Sequence, residues 1–374
     1  MRHINIPVFI PQLGFPNNCV FCNKRTRTGR REFQEEEAGE IIDRAFPTVP
    51  ADSDVEIAFF GGSFTGIDRG LMLRLLCLAD EYIADGRVCT MRCSTRPDYI
   101  DGEILDILAA PRMTTVELGT QSTSDSVLAA CRRGHTAADS GRACRAVKAA
   151  GMKLVGQMLT GLPGADSASE TATARDICAW GADAARVYPT VVFRGTELEA
   201  MAAAGGYEPL DYDTAAERTA SVLDVFDRAG VPVIRVGLCA GEGLTSPDTV
   251  AGGANHPAMG ELAMGELFYR RICKAADDAV ASFDAPLAGR TITVRVRSGG
   301  TSCSVGQKRR NIRSEKQRVG EEWLGNVARK VGPYQEVTGY QSRPVLLNRL
   351  STSTSPNQHI KRDLVEVVST HEPT

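Results

Sequence analysis

The sequence predicts an α/β fold of six strand–helix units, followed by a helical segment and a small basic α+β domain. Three observations lead there. Through the first 190 or so residues, short β-rich apolar runs alternate with helix-length stretches, as in parallel strands joined by right-handed crossovers. Beyond them, long helical periodicity replaces the alternation. From Arg290 the charge changes sign: residues 290–374 carry a net +8 and the rest of the chain −11, hidden in a total of −3.

The strand-like runs are Ile4–Ile10, Val55–Phe60, Val88–Cys93, Thr114–Leu118, Leu154–Leu159 and Ala184–Pro189. Among the intervening helices, 68–84 opens on Asp68, a good N-cap residue, and stops before Gly86. Helix 136–150 opens on Thr136 with Asp139 three residues on, a capping-box start, and Gly151 ends it. Six such units give a (β/α)6 sheet, either open and doubly wound or a partial barrel. Asp213–Gly230 and Ala258–Ala279 read as amphipathic helices with a strand, Val231–Val236, between them. After 281–286 the character changes: Thr291–Arg297 alternates like a strand, Val305–Arg318 is a basic helix, Ser351–Ser355 lies in a low-complexity loop, and Asp363–Val368 is a last strand. The expected division is a core at 1–194, a helical extension at 195–285 and a basic α+β domain at 286–374.

Length and composition set the outer limits. At 374 residues, 43% apolar and 24% charged, the chain has room for a core and is neither disordered nor collagen-like. No 18-residue apolar run is present, which excludes a membrane-spanning helix, and the N-terminus has no apolar signal core. Eleven cysteines, an odd number without disulfide-like spacing, point to a reducing, cytoplasmic setting.

In parallel β/α folds, functional groups collect in the loops after the strand C-terminal ends. Those loops hold Gly14–Asn18 with Cys19 and Cys22, then Gly61-Gly62-Ser63, then Cys93–Pro97, Gly119–Ser122, Gly161–Gly164 and Tyr188-Pro189. Cys19 and Cys22 form a CxxC, a spacing that lets two thiolates share one metal centre; two half-buried thiols is the plainer reading. Cys89 and Cys93 offer two further zinc ligands. Gly61-Gly62 admits close approach of a ligand to the backbone, or is only a turn. Arg96, Gln121 and Arg133 suit a carboxylate, an adenine or a ribose, and each alone equally suits a solvated surface. No P-loop, HExxH, GxSxG or dinucleotide fingerprint occurs. The five histidines (3, 135, 256, 359, 371) do not pair at ligand spacing, and His256 before Pro257 is structural.

The stretches IPVFIPQLGFPNNCVFCNKR, FFGGSFTGI, STRPDYID, VELGTQS, RRGHT, GLPG, RVYPTVVFRGTELE and VIRVGLCAGEGL resemble radical S-adenosylmethionine (SAM) enzymes. Within that superfamily the chain is most similar to the bacterial relatives of the elongator catalytic subunit, with kinship to oxygen-independent coproporphyrinogen III oxidase. The resemblance runs in order through about residues 4–275. It implies a partial TIM barrel, (β/α)6, and a CxxxCxxC loop that binds a 4Fe-4S cluster. SAM chelates the cluster's fourth iron, and an electron from a donor such as a ferredoxin or flavodoxin splits SAM to a 5′-deoxyadenosyl radical.

By position, the resemblance makes Cys19 and Cys22 the second and third cluster ligands. Gly61, Gly62 and Ser63 match the segment that contacts the SAM amino group. Ser94 stands where many relatives have a ribose-binding Glu, with Arg96 beside it. Gln121 and Arg133 match further SAM contacts, and Gln157 sits where the coproporphyrinogen oxidase branch has an Asp. The first cluster cysteine falls at Phe15, which cannot ligate iron.

In the tail, Val305–Ile312 resembles the IGxxGxxI loop of a KH-type RNA-binding module, with Arg309 at the second glycine. The net +8 is an electrostatic footprint for RNA, and the resemblance to the elongator subunit implies tRNA as the partner, with no membrane involved. No residues remain for the acetyltransferase domain that elongator enzymes carry. The expectation is a radical SAM enzyme acting on RNA. Its competitors are a decayed barrel that binds RNA without catalysis, which Phe15 favours, and a structural zinc protein using Cys19, Cys22, Cys89 and Cys93.

Overall fold

A computed structural model describes residues 2–10, 19–22, 33, 35–110, 112–238, 246, 248–281, 291–296, 302, 303, 306, 307, 311, 327–331, 334–338 and 365–371. They group into two units, Met1–Asp211 with Val233–Pro257, and Tyr212–Pro232 with Ala258–Thr374.

The first unit is built on β1 (Arg2–Phe9), β2 (Ser53–Phe60), β3 (Thr90–Thr95), β4 (Met113–Gln121), β5 (Lys153–Thr160) and β6 (Ala184–Pro189). Helices α1 (Glu36–Ala45), α2 (Arg69–Ala84), α3 (Gly102–Ala109), α4 (Asp125–Ala130), α5 (Ala137–Ala149) and α6 (Ser167–Ala179) lie between them. A short β7 (Val191–Phe193) and α7 (Glu197–Ala203) follow. After α8 (Tyr212–Ala229) come β8 (Val233–Val236), β9 (Val250–Gly253) and α9 (Met259–Ala281). The main sheet has the order β1-β2-β3-β4-β5-β6-β8, parallel throughout. The expected partial barrel is present, with one strand added beyond the six units. The sheet has seven strands, because β8 pairs with β6 beyond the six units. Its order never reverses, which excludes the doubly wound alternative and leaves the curled partial barrel.

Local chemistry explains where the helices begin. Asp68 accepts the N–H of Leu71, Asp101 that of Ile104, and Thr136 with Asp139 forms the reciprocal box expected from the sequence. Strand parity decides the rest. On β1, Ile6, Val8 and Ile10 are buried, and on β5 Gly156 meets Ile177 of α6, so close that a Cβ would stand 2.4 Å from Ile177 Cγ2. These positions face the helical layer. The alternate positions, Phe9, Glu56, Phe60, Arg92, Ser94, Glu117, Gln157, Arg186 and Tyr188, face the concavity. Contacts across it follow: Arg92 lies 3.4 Å from both Glu56 and Glu117, and Arg186 3.1 Å from Glu117.

In the second unit, α8 and α9 are pinned by Arg271, which pairs with Asp224 at 2.7 Å and Asp227 at 2.6 Å. β10 (Thr291–Val296) runs antiparallel to β13 (Val365–His371), and β11 (Val327–Val331) to β12 (Tyr334–Thr338). The strands expected at each end of the basic segment are both present. Most of the expected helix Val305–Arg318 and the loop at Ser351–Ser355 lie outside the described residues. Within the KH-like stretch, Gly306 has φ +72°, and Asn311 donates to the carbonyls of Gly265 (2.8 Å) and Cys303 (3.0 Å).

Candidate functional site

The described parts of the nominated loops lie beyond the C-terminal ends of β1 to β5. Cys19 and Cys22 share a tight turn, closed by Cys22 N–H on the Cys19 carbonyl at 3.0 Å. Val20 fixes that turn from both sides. Its N–H donates to the carbonyl of Cys131 (3.2 Å), its carbonyl accepts from Leu198 (2.8 Å), and its side chain packs in a buried cluster with Val127, Cys131, Leu162, Val192 and Leu198. Phe15 lies outside the described residues.

Arg133 joins the cysteine turn to the sheet. Held between Arg132 (φ +52°) and Gly134 (φ +77°), it is buried and donates to Cys19 Sγ at 3.3 Å and to the Gly119 carbonyl at 2.8 Å. Arg96 in turn donates to the Arg133 carbonyl at 2.5 Å and grips Asp98 with two nitrogens, at 2.9 and 2.7 Å. Gln121 follows a register break in β4 and has φ +65°, a strained conformation for a non-glycine residue that re-aims the strand end. Arg96 Nη1, Gln121 Oε1 and Arg133 Nε are buried with no hydrogen-bond partner among the described residues. Buried donors and acceptors are normally paired, and these three stand unpaired together with seven other atoms, of which Thr120 Oγ1 and His135 Nδ1 belong to the same group of residues.

Gly61 has φ +95°, and a Cβ there would stand 3.2 Å from both N and O of Ile10. Glycine is therefore required for packing of the β2 loop against Ile10, just past β1. Ser63 is buried, accepts the N–H of Arg96 at 3.0 Å and lies 3.2 Å from the Thr95 hydroxyl, so its side chain ties the β2 loop to the β3 loop. Gly62, Ser94 and Gln157 are half-buried; Ser94 and Gln157 face the concavity, and Gln157 pairs in register with Gly119 and Arg186.

The zinc arrangement is corrected. Cys89 donates its backbone N–H to Val55 near the start of β2, at the N-terminal end of the sheet, whereas Cys19 lies beyond the C-terminal end. Cys93 is buried on the helix-facing side, where desolvation pushes its thiol pKa far up. No cluster of three or more His, Cys, Asp or Glu side chains able to hold a metal exists among the described residues.

Two features escaped the sequence reading. His135, fully buried behind Arg133, has its pKa lowered to about 4, first by desolvation and then by the Arg133 charge. The charges Glu56, Arg92, Glu117 and Arg186, from β2, β3, β4 and β6, form a chain over the concave face; the signal was a lone charge in four of the six apolar runs, each at a concave-facing position. Burial raises the Glu117 pKa against the opposing pull of Arg186 and Arg92.

Comparisons with known proteins agree with this architecture. Residues 10–177 match the radical SAM superfamily and residues 182–268 the radical SAM C-terminal domain, together about two thirds of the chain. The chain belongs to the radical SAM superfamily of enzymes. It is 31% identical over 137 residues to the tRNA uridine(34) acetyltransferase of Methanocaldococcus jannaschii, covering 36% of this chain and 25% of that protein. It is 29% identical over 152 residues to Elongator complex protein 3 of Saccharomyces cerevisiae, covering 38% and 27%. The chain thus spans about a quarter of the length of these curated relatives. The solved structure of the archaeal Methanocaldococcus infernus Elp3, lacking its N-terminus, shares the fold with a TM-score of 0.53 at 18% identity, over 79% of this chain and 71% of that one. No described helix is long and apolar enough to cross a membrane.

Proposed function

We propose that the barrel binds SAM at the mouth formed by Gly61–Ser63, Ser94, Arg96, Gln121, Arg133 and Gln157, and that the chain modifies RNA, tRNA in the first instance, by radical SAM chemistry. The observation that carries the reading is the set of unsatisfied buried groups on Arg96, Gln121 and Arg133, converging beside a cysteine turn. A sulfonium amino acid linked to a nucleoside offers what they lack: a carboxylate for the guanidinium N–H groups and a donor for the Gln121 oxygen. Arg133 orients the site, since one guanidinium touches both Cys19 and the end of β4. RNA as substrate is supported by the named activity of the tRNA-modifying relative and by the net +8 of residues 290–374.

A 4Fe-4S cluster, when bound, supplies the electron that splits SAM, and Cys19 and Cys22 would hold two of its irons. The donor set falls one thiolate short of three, because position 15 is phenylalanine. That shortfall favours a second reading, a barrel that keeps its SAM site and binds RNA without radical chemistry. Anaerobic reconstitution decides between them, with iron counted per chain and SAM binding measured by equilibrium dialysis. Phe15→Cys is expected to raise both bound iron and SAM cleavage while SAM affinity stays within a few fold. Equal iron and equal cleavage in the two proteins would refute the importance of position 15, and absence of SAM binding in both would refute the site.

A further inference from the structure

The concave face of the half-barrel is charged where it is deep and aromatic where it opens. Phe9, the last residue of β1, is 56% exposed, although its neighbours Val8 and Ile10 are buried on the other face. Its ring lies 6.2 Å from that of its register partner Phe60, tilted by 45°. The guanidinium of Arg186 stands 5.5 Å from the Phe60 centroid, reaching from β6 across the concavity. Two partners fix it there: Glu117 at 3.1 Å and the hydroxyl of Tyr188 at 3.3 Å. None of these side chains belongs to the SAM set.

A solitary exposed phenylalanine needs no explanation. Here the exposed ring continues into a second aromatic ring and an immobilised guanidinium, and the half-buried Tyr188 closes the group. Such a surface has apolar and cationic faces for a flat π-system and polar edges for its ring heteroatoms. An aliphatic ligand would leave Arg186 and Tyr188 facing hydrocarbon. The geometry fits a planar heterocycle.

Resting on the RNA-directed reading above, we propose that Phe9, Phe60, Arg186 and Tyr188 form a stacking platform that holds one unpaired nucleobase of the RNA inside the half-barrel. Specificity for an unpaired base follows, because a duplex cannot present a ring face to the interior of a sheet.

The test uses the full chain and a fluorescent RNA hairpin with a single-stranded loop, with Kd measured by anisotropy at fixed salt. Phe9→Ala, at an exposed position, is expected to fold normally and to weaken binding roughly five- to hundred-fold, the range for loss of one base–aromatic stack. Phe9→Trp restores it. The dependence of Kd on salt stays unchanged, since no phosphate contact is lost. Single abasic sites walked through the loop should identify one position at which wild type and Phe9→Ala bind equally. Unchanged RNA affinity in Phe9→Ala, or a deficit that persists with every abasic RNA, overturns the platform while leaving RNA binding intact. A parallel fall in SAM affinity also overturns it, by assigning the face to SAM. Failure of the wild-type chain to bind the hairpin even at low salt removes the RNA reading and the platform with it.

Discussion

Replacing His135 with glutamine should remove a specific component of acid sensitivity. The imidazole is buried between Arg133 and Asp98, with Nε2 3.4 Å from the Thr120 carbonyl. Its pKa is lowered from 6.5 to about 4, desolvation being the largest cause and Arg133 the next. As pH falls from about 6.5 towards 4, the unfolded chain takes up a proton that the folded chain refuses. The unfolded state binds more protons in that window, so stability falls with falling pH. A shift of about 2.5 units corresponds to at most about 3 kcal/mol, fully present above pH 6.5 and lost by pH 4. Glutamine keeps a donor for Thr120 and cannot ionise. Urea unfolding at half-unit steps from pH 7.5 to 4 measures the difference. The wild-type curve should steepen relative to His135→Gln by up to that amount, and parallel curves would show that His135 does not stay neutral in the fold.

Two further outcomes follow from the same site. Gly61→Ala places a Cβ 3.2 Å from the backbone of Ile10 at φ +95°, which should cost about 2 kcal/mol in denaturant unfolding; an unchanged midpoint would show that the β2 loop relaxes freely. Arg186→Met leaves Glu117 with Arg92 as its remaining cation, and should destabilise by about 3 kcal/mol at pH 7. Because burial already raises the Glu117 pKa, protonation should relieve part of this deficit as pH falls below 7; a deficit that does not shrink with falling pH would refute the coupling.

What the sequence revealed was mostly local. The strand Ala184–Pro189 and the box at Thr136 and Asp139 were readable because apolar alternation and capping act within a few residues. The pairing of Val233–Val236 with β6 was not, since a four-residue strand after a long excursion carries no mark of its partner. Nor was the contact between Arg133 and Cys19, residues 114 apart in sequence. The loops after the strands could be nominated by topology alone, yet what each residue does there depends on neighbours from other strands. Ser63, placed by the resemblance at the SAM amino group, also accepts the N–H of Arg96, a contact the sequence does not announce. The SAM roles rest on the family resemblance, and the structure adds the unsatisfied groups that make those roles chemically sensible.

The unbroken strand order bears on how the chain is made. Each of β2 to β6 pairs with the strand synthesised just before it, so the sheet can grow at its newest edge while later residues are still being added. β8 is the exception, because β7, α7 and α8 are made between it and β6, the strand on which it docks. Until then β6 is an uncovered edge, open to pairing with another nascent chain.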